Sequence, residues 1–128
     1  MSLLDEEEEY IRWVEMARRT LRSAERDLLG GDYNWACFKA HQAAEYVVKG
    51  VLHGLGMDAH GHSISALLAK LPREFSVMDI MDGAKLLDKY YIPTRYPNAW
   101  SERSPGRLLY LRGSRAGVDA SQKVCGVG

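Results

Sequence analysis

Gln42, Glu45 and Lys49 follow Phe38 at intervals of three or four residues, inside a stretch from Tyr33 to Leu55 with no proline and no glycine before Gly50. At about 100° per residue they form one row on a helix, setting an aromatic, an amide, an acid and a base side by side. Glu45 and Lys49 are also an i,i+4 pair in the favourable order, worth only ~0.2–0.5 kcal/mol on a surface helix. Two readings follow: a polar network inside the bundle or at a subunit interface, or a ligand-binding face. A second set, Arg95, Tyr96, Asn98 and Trp100, lies around Pro93 and Pro97. Arginine holds phosphate through two parallel hydrogen bonds, and tyrosine or tryptophan stacks a base, so this set has the chemistry of a nucleotide contact. The alternative has Arg95 bridging to Asp88 or Glu45, with the aromatics packing one end of the fold.

Other chemistry is weaker. His60 and His62, with His53 nearby, invite a metal reading, but two histidines one residue apart without a clear third ligand fit helix capping and loop roles better. No metal and no cofactor is expected. Cys37 has no base at a spacing that would activate it and reads as a small buried thiol. Two cysteines in all give no disulfide framework. Trp13, Trp35 and Phe38 read as core or subunit-interface residues.

The elements that must position these residues are helical. Tyr10, Val14, Ala17, Leu21, Ala24 and Leu28 alternate spacings of three and four and predict a helix from about Leu4 to Leu29. Gly30-Gly31 ends it, and Asp32 is the expected N-cap of the next. The second helix carries Ala36, Ala40, Ala43, Ala44, Val47, Val51 and Leu55 on one side. Its small residues suit close approach by a neighbour. It ends near Gly54 or Gly56. Ser63 or His62 precedes a short helix, Ile64 to Leu71, stopped by Pro72. A fourth runs from about Ser76 to Tyr91, with Val77, Ile80, Met81, Ala84, Leu87 and Tyr91 on one face and Pro93 limiting it. Glycines interrupt the end of the chain, and only a helix from Arg115 to Val124 is suggested there. No strand or hairpin pattern and no repeat competes. The expected architecture is all-α: an antiparallel up-and-down bundle of four to five helices in a single domain, residues 1–128, with an atypical tail over 102–128.

The chain's 128 residues suit one core, and 46% hydrophobic content is ordinary for a globular domain. A formal net charge of zero points to neither a nucleic-acid nor a membrane partner. Charge is uneven, however. Asp5 to Glu9 is an acidic run suited to a helix start, whereas from Arg95 onward six basic residues face two acidic ones. There is no signal-peptide pattern and no apolar run of membrane-spanning length, so a cytoplasmic location is the default.

Tyr33-Asn34-Trp35-Ala36-Cys37-Phe38, Gln42-Ala43-Ala44-Glu45 with Lys49, Gly61-His62-Ser63-Ile64 with Leu67-Leu68, Leu87-Asp88-Lys89-Tyr90-Tyr91, and Thr94-Arg95-Tyr96-Pro97-Asn98-Ala99 occur in this order. Together, over roughly residues 8 to 102, they resemble the HEPN family of small helical domains. The resemblance implies an up-and-down bundle, a homodimer, and pairing with a separate minimal nucleotidyltransferase in toxin–antitoxin-type systems. It makes Arg95, Tyr96, Asn98, Trp100 and Lys49 the expected nucleotide contacts, supported by Gln42, Glu45 and Asp88. Many ribonucleases of the family carry an arginine, four to six intervening residues, then a histidine. That spacing is absent here, since no histidine follows His62 and no arginine precedes His41, His53, His60 or His62 at that distance. A binding subunit is therefore expected ahead of an enzyme. The alternatives are a metal-independent ribonuclease toxin, with RNA as its substrate, and a non-catalytic interaction bundle.

Overall fold

The computed structural model describes residues 3–89 and 106–126. Among these residues five helices follow one another: α1 (Leu3–Gly30), α2 (Tyr33–Gly54), α3 (Ile64–Leu68), α4 (Met78–Lys89) and α5 (Gly106–Cys125). No strand occurs among the described residues. The all-α bundle is as expected.

Helix α2 is the centre of the fold and packs against each of the other four helices; its interface with α1 is the largest. Val14, Ala17 and Ala24 of the α1 seam are buried, and Tyr10, Leu21 and Leu28 pack half-buried beside them. Across from them Ala36, Ala40, Ala44, Val47 and Val48 of α2 are almost completely covered. The two helices run antiparallel: Lys39 bonds Ser23 and Asp27 at one end, and Gly54 lies against Tyr10 at the other. Small residues allow this closeness. A Cβ on Gly50 would stand 2.6 Å from Trp13 Cβ, so at this crossing only a hydrogen fits.

Two glycines close the helix ends as Schellman motifs. Gly31 (φ 83°) ends α1, with Asp32 N–H donating to Asp27 C=O at 2.8 Å and Gly31 N–H to Leu28 C=O at 3.3 Å. Gly56 (φ 73°) ends α2 in the same way, with Met57 N–H on Leu52 C=O and Gly56 N–H on His53 C=O, each at 2.9 Å. The positive φ disfavours any side chain at either position.

Several local expectations are corrected. Asp32 occupies the N-cap position of α2, but its side chain makes no capping bond. Only its carbonyl takes part, accepting from Ala36 N–H at 2.9 Å. Leu55 is 44% exposed, because the chain has already left the helix when it reaches that residue. Helix α3 ends at Leu68 rather than running on to Leu71, and tight turns carry the chain from Leu67 and Leu68 towards Pro72. Helix α4 starts at Met78, not Ser76, and the end expected at Tyr91 lies outside the described residues.

The largest correction is α5, which begins nine residues before the expected Arg115. Propensity alone argues against a helix with glycines at 106, 113 and 117. Packing decides otherwise, because Ser114, Gly117, Val118, Ala120, Ser121 and Val124 are buried against the bundle. The approach to α4 is tight: a Cβ on Gly83 would lie 3.1 Å from Ala120 Cβ.

Candidate functional site

The polar residues of α2 are joined to the start of α3 by side chains one helical turn apart. His41 is 1% exposed, and its Nε2–H donates to the His62 carbonyl at 2.9 Å. Glu45 follows four residues later. Its Oε1 accepts from His62 Nδ1–H at 2.8 Å, while its Oε2 lies 3.4 Å from Lys49 Nζ. Residue 62 is thus held on α2 at its backbone and at its ring. The Glu45 side chain is 8% exposed and that of Lys49 13%, so this ion pair is largely removed from solvent, unlike the ordinary surface pair its spacing alone suggested.

The next residue continues the chain of bonds. Ser63 is the N-cap of α3, its Oγ accepting from Ala66 N–H at 3.2 Å. Asp88, near the end of α4, meets the same helix start. Its Oδ1 accepts from Ile64 N–H at 2.5 Å. Its Oδ2 accepts from Ser63 Oγ–H at 3.0 Å, Ser65 N–H at 3.3 Å and Ser65 Oγ–H at 2.5 Å. A negative carboxylate on the first N–H groups of a helix is favoured by the dipole as well as by the bonds themselves. Arg95, for which this carboxylate was one expected partner, lies outside the described residues.

Of the residues expected at a site, Lys49 and Glu45 pair beside His62 on the middle of α2, and Asp88 holds the adjoining start of α3. Gln42 belongs to another neighbourhood. Its Nε2 donates to Tyr46 Oη at 2.8 Å, and Tyr46 tilts against Trp13 with ring centroids 5.8 Å apart. The expected contacts Arg95, Tyr96, Asn98 and Trp100 lie outside the described residues. Sequence reasoning missed His41, Ser65 and the anchoring of His62. The signal was present, since His41, Glu45 and Lys49 are spaced four and four. Nothing in the sequence, however, tells that His62 comes back to meet that row.

Burial keeps His41 neutral. Desolvation lowers its pKa from 6.5 and outweighs the raising influence of the His62 carbonyl, Glu45 and Asp88. Because the folded value is below the unfolded one, the stability this residue confers is complete above the unfolded value of about 6.5 and is lost as pH falls from there through the lower folded value. Urea unfolding of the wild type is expected to show a fall in stability on acidification below pH 6.5, at most about 1.4 kcal/mol per pH unit from this group. In His41→Gln that component should vanish. An unchanged pH slope in the variant refutes the assignment.

Cys37 is fully buried, and desolvation pushes its thiol up to about 12, which removes the thiolate a nucleophile needs. The Cys125 thiol is pushed up to about 11, also by burial. Among the described residues no three histidine, cysteine or carboxylate side chains cluster so as to hold a metal ion. No described helix is long and apolar enough to cross a membrane.

A helical bundle centred on its second helix, with a cluster of charged and hydroxyl side chains tying the start of α3 to α2 and α4, defines a class of small helical domains. The chain matches the HEPN domain over residues 10–116 and belongs to that family. Solved structures agree. The protein TT1696 from Thermus thermophilus is 44% identical, with a TM-score of 0.81 over 92% of this chain and 94% of that one. A HEPN domain protein from Thermotoga maritima is 32% identical, with a TM-score of 0.73 over 89% and 91% of the two chains. An archaeal HEPN homologue is 35% identical, with a TM-score of 0.72 over 91% and 92%. No curated protein matches the chain.

Proposed function

We propose that this HEPN protein is the nucleotide- or substrate-binding subunit of a two-component system, acting as a homodimer beside a separate minimal nucleotidyltransferase of the toxin–antitoxin type. Lys49 and Arg95 hold phosphate, Tyr96 or Trp100 stacks the base, and Asn98 adds a polar contact. Glu45 and Asp88 support the site rather than touch the ligand, whereas Gln42, bonded to Tyr46, is left out of it. The observation that carries the reading is the setting of Lys49. A lysine 13% exposed, held by a buried glutamate, is a fixed cation rather than a solvated one. Phosphate is the ligand chemistry such a cation suits. Asp88 anchors the end of α4, seven residues before Arg95 in sequence.

Isothermal titration calorimetry with ATP, GTP and AMP tests the proposal on the full chain. Wild type should bind at least one of them, and Arg95→Ala and Lys49→Ala should each weaken that binding by about tenfold or more, the loss of a charge-assisted contact. A wild-type chain that binds none of the three, alone or with its nucleotidyltransferase, removes the nucleotide role. The ribonuclease alternative lacks the arginine-to-histidine spacing that many ribonucleases of the family carry.

A further inference from the structure

The outer face of α1 carries a charge pattern that the fold does not use. Glu8, Arg12, Glu15 and Arg19 are all exposed and share one stripe of the helix. Among the described residues the stripe makes only the Glu8–Arg12 pair, at 3.7 Å and with both side chains more than 60% exposed. Their spacing is four, three, four and their signs run minus, plus, minus, plus. The spacing is the same read in either direction, while the signs invert. A second copy of α1 laid antiparallel over the first, centred between Arg12 and Glu15, therefore sets Glu8 opposite Arg19 and Arg12 opposite Glu15. A twofold axis repeats both pairs. Parallel, in-register pairing would set every charge against its like.

Beside this stripe lies a groove of about 300 Å³ lined by Glu9, Arg12, Trp13 and Met16 of α1 and by Tyr46 of α2. Its floor is aromatic, since Trp13 stacks on His53 at 5.4 Å and meets Tyr46 at 5.8 Å. Met16 is 51% exposed on its rim. An apolar centre with a charged border is the usual anatomy of a protein interface.

We propose that α1 is a homodimer face, on which a second copy of this chain docks antiparallel and places its Met16 over the Trp13–Tyr46 groove. The apolar contact supplies the affinity, since exposed ion pairs contribute little individually, and the charge pattern selects direction and register. The inference rests on the homodimer part of the reading above and not on its nucleotide part. Mass and nucleotide binding are separate readouts, so each part can fail alone.

Sedimentation velocity on the full chain tests the face. Wild type should run as a dimer at micromolar concentration. Glu8→Arg and Arg19→Glu each create two like-charge contacts across the axis and should raise the dissociation constant by about tenfold or more. Mixing the two variants restores both pairs, so the mixture should contain a heterodimer that neither variant forms with itself. Both positions are exposed, and circular dichroism checks that each variant keeps its fold. A monomeric wild type overturns the proposal and leaves the groove to another protein. A dimer indifferent to both substitutions overturns it in favour of a different face.

Discussion

Asp88→Ala is expected to lower the stability of the domain by about 2–4 kcal/mol, with a fall in Tm of roughly 10 °C. The carboxylate accepts four bonds from three consecutive residues, Ser63 to Ser65, and joins the end of α4 to the start of α3. Removing it leaves the backbone N–H groups of Ile64 and Ser65 without that acceptor. Helix α3 spans only Ile64–Leu68 and cannot hold itself by propensity. Ile64, Leu67 and Leu68 are buried by that short helix, so its loss also releases core. Asp88→Asn retains one acceptor oxygen and should cost about half as much. Chemical denaturation of the three proteins measures the difference. A loss below about 0.5 kcal/mol in Asp88→Ala, the range of an ordinary surface change, would show that the serines cap α3 without it.

The second large effect is at Gly50, where the sign is the informative part. Glycine to alanine in the middle of an exposed helix ordinarily stabilises by up to about 1 kcal/mol. Here the added methyl would stand 2.6 Å from Trp13 Cβ, an atom fixed next to the α1 backbone that no rotamer change can move aside. Overpacking of this kind costs about 1–3 kcal/mol, and Gly50→Ala is expected to be destabilising by that amount. Gly50→Val, which adds further bulk in the same place, should be worse. Trp13 reports the change directly, because displacing it disturbs its stacking on His53 and should shift its fluorescence. Gly54 is the control. Its methyl would lie 3.4 Å from Tyr10 Cβ, close to ordinary contact, and Gly54→Ala should be near neutral, within about 0.5 kcal/mol. Equal effects at the two glycines would mean that the α1–α2 crossing is not the cause.

Much of this molecule was legible in its sequence, for identifiable reasons. The seam from Tyr10 to Leu28 and the alanine face of α2 are read from helical periodicity, and the structure buries or half-buries those residues. Glycine at 31 and 56 announced the helix ends through its tolerance of positive φ. The Glu45–Lys49 pair follows from i,i+4 geometry. Interactions that depend on distant segments were not legible. Nothing local says that His62 meets His41 and Glu45, or that Asp88 belongs to Ser63 and Ser65. Helix α5 was obscured for the opposite reason, since its glycines read as breakers until a neighbouring surface explains why small residues are wanted. Asp32 takes the N-cap position read from its residue type, although its side chain makes no capping bond.

The two-residue connection between α1 and α2 also bears on how the chain reaches its fold. Contacts across that hairpin link residues close in sequence, so little loop entropy is spent in forming them. They involve the largest interface in the molecule. Helix α5, by contrast, must return across more than fifty residues to find α2. The expected order is an early α1–α2 nucleus with α5 docking late. Destabilising changes at the α1–α2 crossing should then slow folding, whereas changes along α5 should chiefly hasten unfolding.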